Sequence, residues 1–179
     1  MTTILTVDPL MPFPLSLMRP WHMARICKGY ANSGGRTQVK VSASSSLLDK
    51  QGIVNDAGNL SRAIRETPGD IVVLGHSRGD QVAGVCLRDP DTYLRDVAPE
   101  RVRFILLGNP ERSYRPGVTY IDGTQLKTTP TDTAFTVWDI ARRGDYYADR
   151  RPEIKAPLAQ LIHMSYGNLD LEHPPEPLK

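Results

Sequence analysis

Residues 71–84 read Ile-Val-Val-Leu-Gly-His-Ser-Arg-Gly-Asp-Gln-Val-Ala-Gly. Ile71–Leu74 is a short apolar run with the length and composition of a buried strand. It leads straight into Gly75-His76-Ser77-Arg78-Gly79, and helix-compatible residues follow from Gln81 to Cys86. Strand, sharp turn and helix, with G-x-S-x-G in the turn, is the context that a nucleophile elbow needs. A serine on such a turn tolerates little bulk on either side, and glycines two before and two after it supply the room. Its hydroxyl would stand at the C-terminal edge of a sheet, with a helix N-terminus behind it. Backbone N–H groups there, that of Arg78 among them, and the positive end of the helix dipole would face a developing oxyanion. The same three fixed positions also occur in ordinary Gly-Ser turns, so the flanking segments decide between the two readings.

Outward from this stretch, strand and helix signals alternate. Thr3–Val7 is a β-branched run and reads as the first strand; Thr37–Ala43 alternates and reads as the second. Between them, residues 16–30 carry helical spacing through Leu17, Trp21, Ala24 and Ile26, with the start set near Pro20 and the end at Asn32-Ser33-Gly34-Gly35. Residues 56–67 form a helix candidate with Leu60, Ala63 and Ile64 on a narrow apolar face, stopped by Pro68-Gly69. Arg101–Leu107 and Phe135–Ala141 read as further strands, Val118–Ile121 as a short extended piece, and Pro152–Met164 as a last helix with Ile154, Leu158, Leu161 and Ile162 apolar. The tail around His173 is proline-rich and reads as extended. Strands alternating with helices imply a three-layer α/β sandwich: a mostly parallel sheet of about five strands with helices on both faces, in one domain over residues 1–179. Function in such sheets gathers at the carboxyl ends of the strands, where Ser77 is placed.

Composition narrows the classes. With 179 residues, 40% hydrophobic and 23% charged, the chain suits a globular domain with a real core. Its 22 basic and 20 acidic residues nearly balance, which gives no nucleic-acid footprint. The two cysteines, Cys27 and Cys86, do not imply a disulfide framework, and Cys86 reads as a small core residue. The N-terminal stretch is apolar but has no basic start and is broken by Pro9, Pro12 and Pro14, so it does not read as a signal peptide. No segment is long enough to span a membrane. The expectation is a cytoplasmic or phage-associated protein.

A serine nucleophile needs a base within hydrogen-bond reach and a group that orients the base. The chain has four histidines. His22 precedes the serine and reads as a helix-surface or packing residue. His76 is the neighbour of Ser77 and cannot easily turn back on it. His163 and His173 lie downstream, where the order Ser…Asp…His puts the base, and His163 sits at the end of a helix pattern rather than in a proline-rich tail. The acid belongs at the end of a strand between serine and histidine. Asp145 ranks first, after Phe135–Ala141 and a flexible Gly144, followed by Asp139 and Asp149. Each of these acids can equally be a surface charge paired with Arg142, Arg143 or Arg150.

Four separated motifs resemble the cutinase-like serine esterases of the α/β-hydrolase fold, in particular the lysin B esterases of mycobacteriophages and the mycobacterial PE-PPE hydrolase domains. They are Gly75-His76-Ser77-Arg78-Gly79, Gly108-Asn109-Pro110, Gly144-Asp145-Tyr146-Tyr147-Ala148 and His163-Met164-Ser165-Tyr166, in this order over about residues 70 to 166. The resemblance implies a triad of Ser77, His163 and Asp145. It also implies an oxyanion hole from the Arg78 N–H and a residue of the 8–12 loop, Leu10, and an ester substrate, lipid or cell-envelope in kind, with no metal or organic cofactor. Two positions depart from the pattern. Val7-Asp8-Pro9-Leu10 stands where a small residue is usual, and Asp80 stands in the first turn after the serine; both carboxylates read as unfavourable to an oxyanion. The rival expectation is a hydrolase-fold protein with a structural or interaction role, such as a virion component. A cytosolic thioesterase or acyltransferase using the same three residues is a weaker third.

Overall fold

The computed structural model describes residues 1–10, 19–42, 50–112, 127–130, 132–149 and 151–172. Five strands form one sheet: β1 (Thr3–Val7), β2 (Thr37–Lys40), β3 (Ile71–His76), β4 (Val102–Leu107) and β5 (Thr136–Ile140), in the order β2-β1-β3-β4-β5. Every neighbouring pair is parallel, with Val7 opposite Gly75 and His76 opposite Leu107 at the carboxyl ends. Five helices accompany them: α1 (Arg19–Gly29), α2 (Lys50–Glu66), α3 (Arg78–Arg88), the single turn α4 (Pro90–Tyr93) and α5 (Ala156–His163). Parts of the expected layout, namely Leu17, Ala43 at the end of the second strand reading, the piece at 118–121 and the tail with His173, lie outside the described residues.

The two-residue period of each strand divides the core. Leu5, Val7, Ile71, Val73, Phe104, Leu106 and Val137 face α2 and α3, meeting Ala57, Leu60, Ile64, Val82, Ala83 and Cys86. Ile4, Val72, Leu74, Ile105 and Leu107 face the other way, onto Met23, Ile26 and Cys27 of α1 and onto Tyr166 and Leu171. Because both faces are covered, the three inner strands are nearly all apolar rather than alternating. The result is the expected three-layer sandwich.

Helix faces differ from the sequence expectation in two places. Trp21 is 58% exposed, and α1 reaches the core through Met23, Ile26 and Cys27 instead. In α5, Leu158 and Leu161 are 55% and 68% exposed, and the buried positions are Ala159 and His163. The apolar pattern of α5 therefore does not mark the face that packs.

The chain runs from β1 outward to β2 and then returns past β1 to β3. The connections leave the sheet in opposite directions at the carboxyl ends of β1 and β3, which is the switch point where doubly wound sheets open a crevice. Helix α3 is pinned across the helical layer by a buried ion pair: Arg78 Nη1 lies 2.7 Å from Asp56 Oδ2 of α2, with both side chains at most 6% exposed. Removing one member of such a pair leaves an uncompensated buried charge. Asp56→Ala is expected to cost about 3–5 kcal/mol in urea unfolding; a loss within the range of ordinary surface substitutions would show that the pair does not hold α3 to α2.

Candidate active site

Ser77 occupies the turn between β3 and α3 with φ 57° and ψ −113°, a backbone region that residues with a Cβ rarely adopt. Its N–H donates to the Leu107 carbonyl at 3.0 Å, and its own carbonyl accepts from the Asp80 N–H at 3.0 Å. The flanking glycines are required by close approach. A Cβ on Gly79 would run into the Val7 carbonyl, and one on Gly75 would run into the Asp80 carboxyl. Every residue from 71 to 84 is buried except Ser77. Packing thus leaves the hydroxyl-bearing residue as the one part of the stretch open to solvent.

His163, at the last position of α5, is brought to the same edge. Its Nδ1 lies 3.0 Å from both Asp145 Oδ1 and Asp145 Oδ2. A Cβ on Gly108, the residue after β4, would lie 3.0 Å from the His163 ring and 3.0 Å from Asp145 Oδ2. Gly108 is therefore the bare surface on which the pair rests, one residue beyond the Leu107 that binds Ser77. The Tyr147 ring packs edge-on against the imidazole with centroids 4.7 Å apart. The Ser77 hydroxyl and the His163 ring are not hydrogen-bonded to each other.

Asp145 is fully buried and saturated with donors. Its Oδ1 accepts from the Tyr147 and Ala148 N–H groups, both at 2.9 Å, and its Oδ2 accepts from the Tyr166 hydroxyl at 2.8 Å. That hydroxyl in turn accepts from the Arg142 N–H at 3.0 Å. Burial alone would raise the carboxyl; the hydrogen bond and charge of His163, then Tyr166 and Ala148, outweigh it and hold Asp145 below the ordinary aspartate value. The spacing His163-x-x-Tyr166 thereby has a physical content: both side chains reach the same carboxylate.

The other acids are engaged elsewhere. Asp139 accepts from Asn109 Nδ2 at 2.9 Å and pairs with Arg112 at 3.0 Å. Asn109 also bonds Thr129 and the Glu111 N–H, so Gly108-Asn109-Pro110 stitches the end of β4 to β5. Asp149 accepts from the Gly144 N–H and from Arg151.

Three expectations need correction. Asp8 does not present a bare charge to the crevice: it is 5% exposed and meets Lys40 of β2 at 2.6 Å, on the far side of β1 from Ser77. Asp80 is fully buried, and neither carboxyl oxygen has a hydrogen-bond partner among the described residues. Burial first, and the nearby Asp139 second, push its carboxyl well above the ordinary aspartate value. His22 is no mere packing residue, because its ring is hydrogen-bonded to His76 at 2.9 Å. Leu10 is half-buried in the loop after β1, three residues beyond Val7, whose carbonyl packs on Gly79. No cluster able to hold a metal ion occurs among the described residues, and none of their helices is long and apolar enough to cross a membrane.

Asp139 carries a pH signature. Burial, against the pull of Arg112 and Asn109, raises its carboxyl to about 6. An acid whose folded value exceeds its unfolded value, near 3.9, binds its proton more tightly when folded. It adds stability below that window and withdraws it as pH rises through about 6. Asp139→Asn should therefore flatten the dependence of unfolding free energy on pH between about 4 and 6 relative to the parent; identical slopes would contradict the assignment.

No protein-family model matches the chain, and no curated protein sequence matches it. Among solved structures, "A novel cutinase-like protein from Cryptococcus sp." superposes with a TM-score of 0.56 over 93% of this chain and 85% of that one, at 16% sequence identity. At this identity the likeness is one of fold: the chain has an α/β-hydrolase-like, cutinase-like architecture.

Proposed function

We propose that this protein is a serine ester hydrolase with Ser77 as nucleophile, His163 as general base and acid, and Asp145 as the group that orients the imidazole. The observation that carries the reading is the His163–Asp145 hydrogen bond resting on Gly108, beside a strained and singly accessible Ser77 at the switch point of the sheet. With Nδ1–H held by Asp145, the lone pair of the His163 ring is on Nε2, the nitrogen a base uses.

In the proposed reaction Ser77 Oγ attacks the ester carbonyl carbon while His163 Nε2 takes the hydroxyl proton. The carbonyl electron pair moves to oxygen, where the Arg78 N–H and the Leu10 N–H serve as oxyanion donors. The intermediate collapses, the C–O bond to the alcohol breaks, and His163 returns the proton to the departing oxygen. Water, deprotonated by His163, then attacks the acyl-serine, and the acid leaves as Ser77 regains its proton. Asp145 stays ionised throughout and stabilises the imidazolium, in keeping with its depressed proton affinity. The fold of the cutinase-like neighbour supports an ester-cleaving site. The motif resemblance to lysin B and PE-PPE hydrolases is the basis for proposing lipid or cell-envelope esters as the substrate class.

Labelling with a fluorophosphonate tests the reading directly. The parent protein is expected to label and Ser77→Ala not to, with nitrophenyl-ester turnover falling about a thousandfold or more in Ser77→Ala. Asp145→Asn should keep the fold and lose most of the turnover. A folded parent that fails to label would favour a structural or interaction role on the same fold. Because Lys40 already answers the Asp8 charge, Asp8→Ser is expected to leave turnover nearly unchanged; a large rise would mean that this carboxylate opposes the oxyanion after all.

A further inference from the structure

The three histidines of the described chain form a directed hydrogen-bond chain that the proposed mechanism does not use. His76 Nε2 lies 3.0 Å from the backbone carbonyl of His163, and His22 Nε2 lies 2.9 Å from His76 Nδ1. A carbonyl can only accept, so His76 must carry its proton on Nε2 and leave a lone pair on Nδ1. His22 Nε2 must then be the donor in the second bond. One accepting group at the end of the chain thus fixes the tautomer of both rings. The rings also pack together: His76 is stacked 5.0 Å from His22 at 22°, and is tilted against His163 at 4.9 Å and Tyr166 at 5.4 Å.

The carbonyl at the end of this chain matters for helix α5. The last carbonyls of a helix have no partner within it and must find one elsewhere. Those of Gln160 and Leu161 accept from the Met164 N–H, and that of Ile162 from the Ser165 N–H and hydroxyl. The carbonyl of His163 accepts from His76. His76 immediately precedes Ser77, so a single side chain ties the main chain of the strand-to-helix turn to the main chain that carries the imidazole.

We propose that His76, held in one tautomer by the His163 carbonyl and hydrogen-bonded from behind by His22, is a positioning residue that sets the place of the His163 imidazole relative to Ser77; as a role in turnover this rests on the esterase reading above. The chain ends on the carbonyl and not on the ring of His163, so it moves no proton to the reacting atoms. Its neutrality is consistent with this part. Burial, then the His163 ring, push His22 down to about 4, and burial, then His163 and His22, push His76 well below the ordinary imidazole value. No second positive charge therefore stands beside a His163 imidazolium.

The test separates position from activity. In the full chain labelled with 15N-histidine, long-range 1H–15N spectra read the tautomers and the exchange of the His163 Nδ1 proton whether or not the protein hydrolyses anything. The parent should show Nε2–H tautomers at His22 and His76. His76→Leu removes the donor and should speed exchange of the His163 Nδ1 proton about tenfold, whereas His76→Gln, which keeps an N–H near the same place, should restore it to within about threefold. If the parent is an active esterase, kcat should follow the same order with KM little changed. Should His76→Leu fail to fold, His22→Leu carries the test, with a smaller acceleration expected. Exchange equal to that of the parent in every folded variant, or an Nδ1–H tautomer at His76, would overturn the proposal. A parent that shows the tautomers but does not label with fluorophosphonate would overturn the esterase reading and leave the positioning of His163 standing.

Discussion

The backbone of Ser77 is the constraint on which the rest of this structure depends. A serine at φ 57° and ψ −113° is strained, at a cost on the order of 1–3 kcal/mol, and such a residue persists only when its surroundings over-determine it. Here β3 delivers the chain to the turn and α3 leaves it at once. The N–H and carbonyl of Ser77 are both taken, by Leu107 and by the Asp80 N–H. Gly79 lets the first turn of α3 close directly onto the Val7 carbonyl, so the ends of β1 and β3 are locked on either side of the switch point. The ion pair of Arg78 with Asp56 anchors the same turn from the helical layer. The strain is thereby supported from the sheet, from the neighbouring strand and from α2 together.

The imidazole arrives by a different route. Asp145 and the groups that hold it (Tyr147, Ala148, Tyr166 and, through Tyr166, Arg142) all belong to residues 142–166, as does His163. This segment is a locally closed unit whose carboxylate is satisfied without the sheet. In a buried, low-dielectric setting such a fully partnered network is rigid, and a partly partnered one would be costly. The unit meets the serine turn through the bare surface of Gly108, the bond from His76 to the His163 carbonyl, and the packing of the His76 ring against His163 and Tyr166.

Much of this was legible in the sequence, for identifiable reasons. Strands buried on both faces are short apolar runs, and β1, β3 and β4 read as such to within a residue or two. The glycines of Gly75-His76-Ser77-Arg78-Gly79 announce a close approach, although which atoms approach could not be read. Chain order placed His163 and Asp145 ahead of their rivals, and these two are the pair that meets. What escaped was of another kind. The exposed faces of α1 and α5 escaped because tertiary packing, not apolar content, chose which side was covered. The bond between His22 and His76 escaped because it joins residues 54 apart through two layers, and no spacing encodes that. The signal available was that a histidine follows the apolar run of a central strand, where a polar ring must find a partner.

Burial also decides the sign of the electrostatics around Ser77. Read as formal charges, the nearby residues Asp8, Asp80 and Arg78 would give two anions and one cation beside the proposed oxyanion. The structure removes all three from that account. Asp8 is answered by Lys40 on the other side of β1, complete burial pushes the Asp80 carboxyl well above the ordinary aspartate value and so toward its uncharged form, and the Arg78 guanidinium is turned into the helical layer against Asp56. What remains at the turn is main chain: α3 begins directly after Ser77, so the positive end of an eleven-residue helix lies beside it. Oriented dipoles of this kind need no reorganisation as charge develops, and they act most strongly where water is excluded. For the ester cleavage proposed at Ser77, oxyanion stabilisation would then be a property of the backbone geometry of the turn. The strain at Ser77 and the donors proposed for its intermediate are then two aspects of one local conformation.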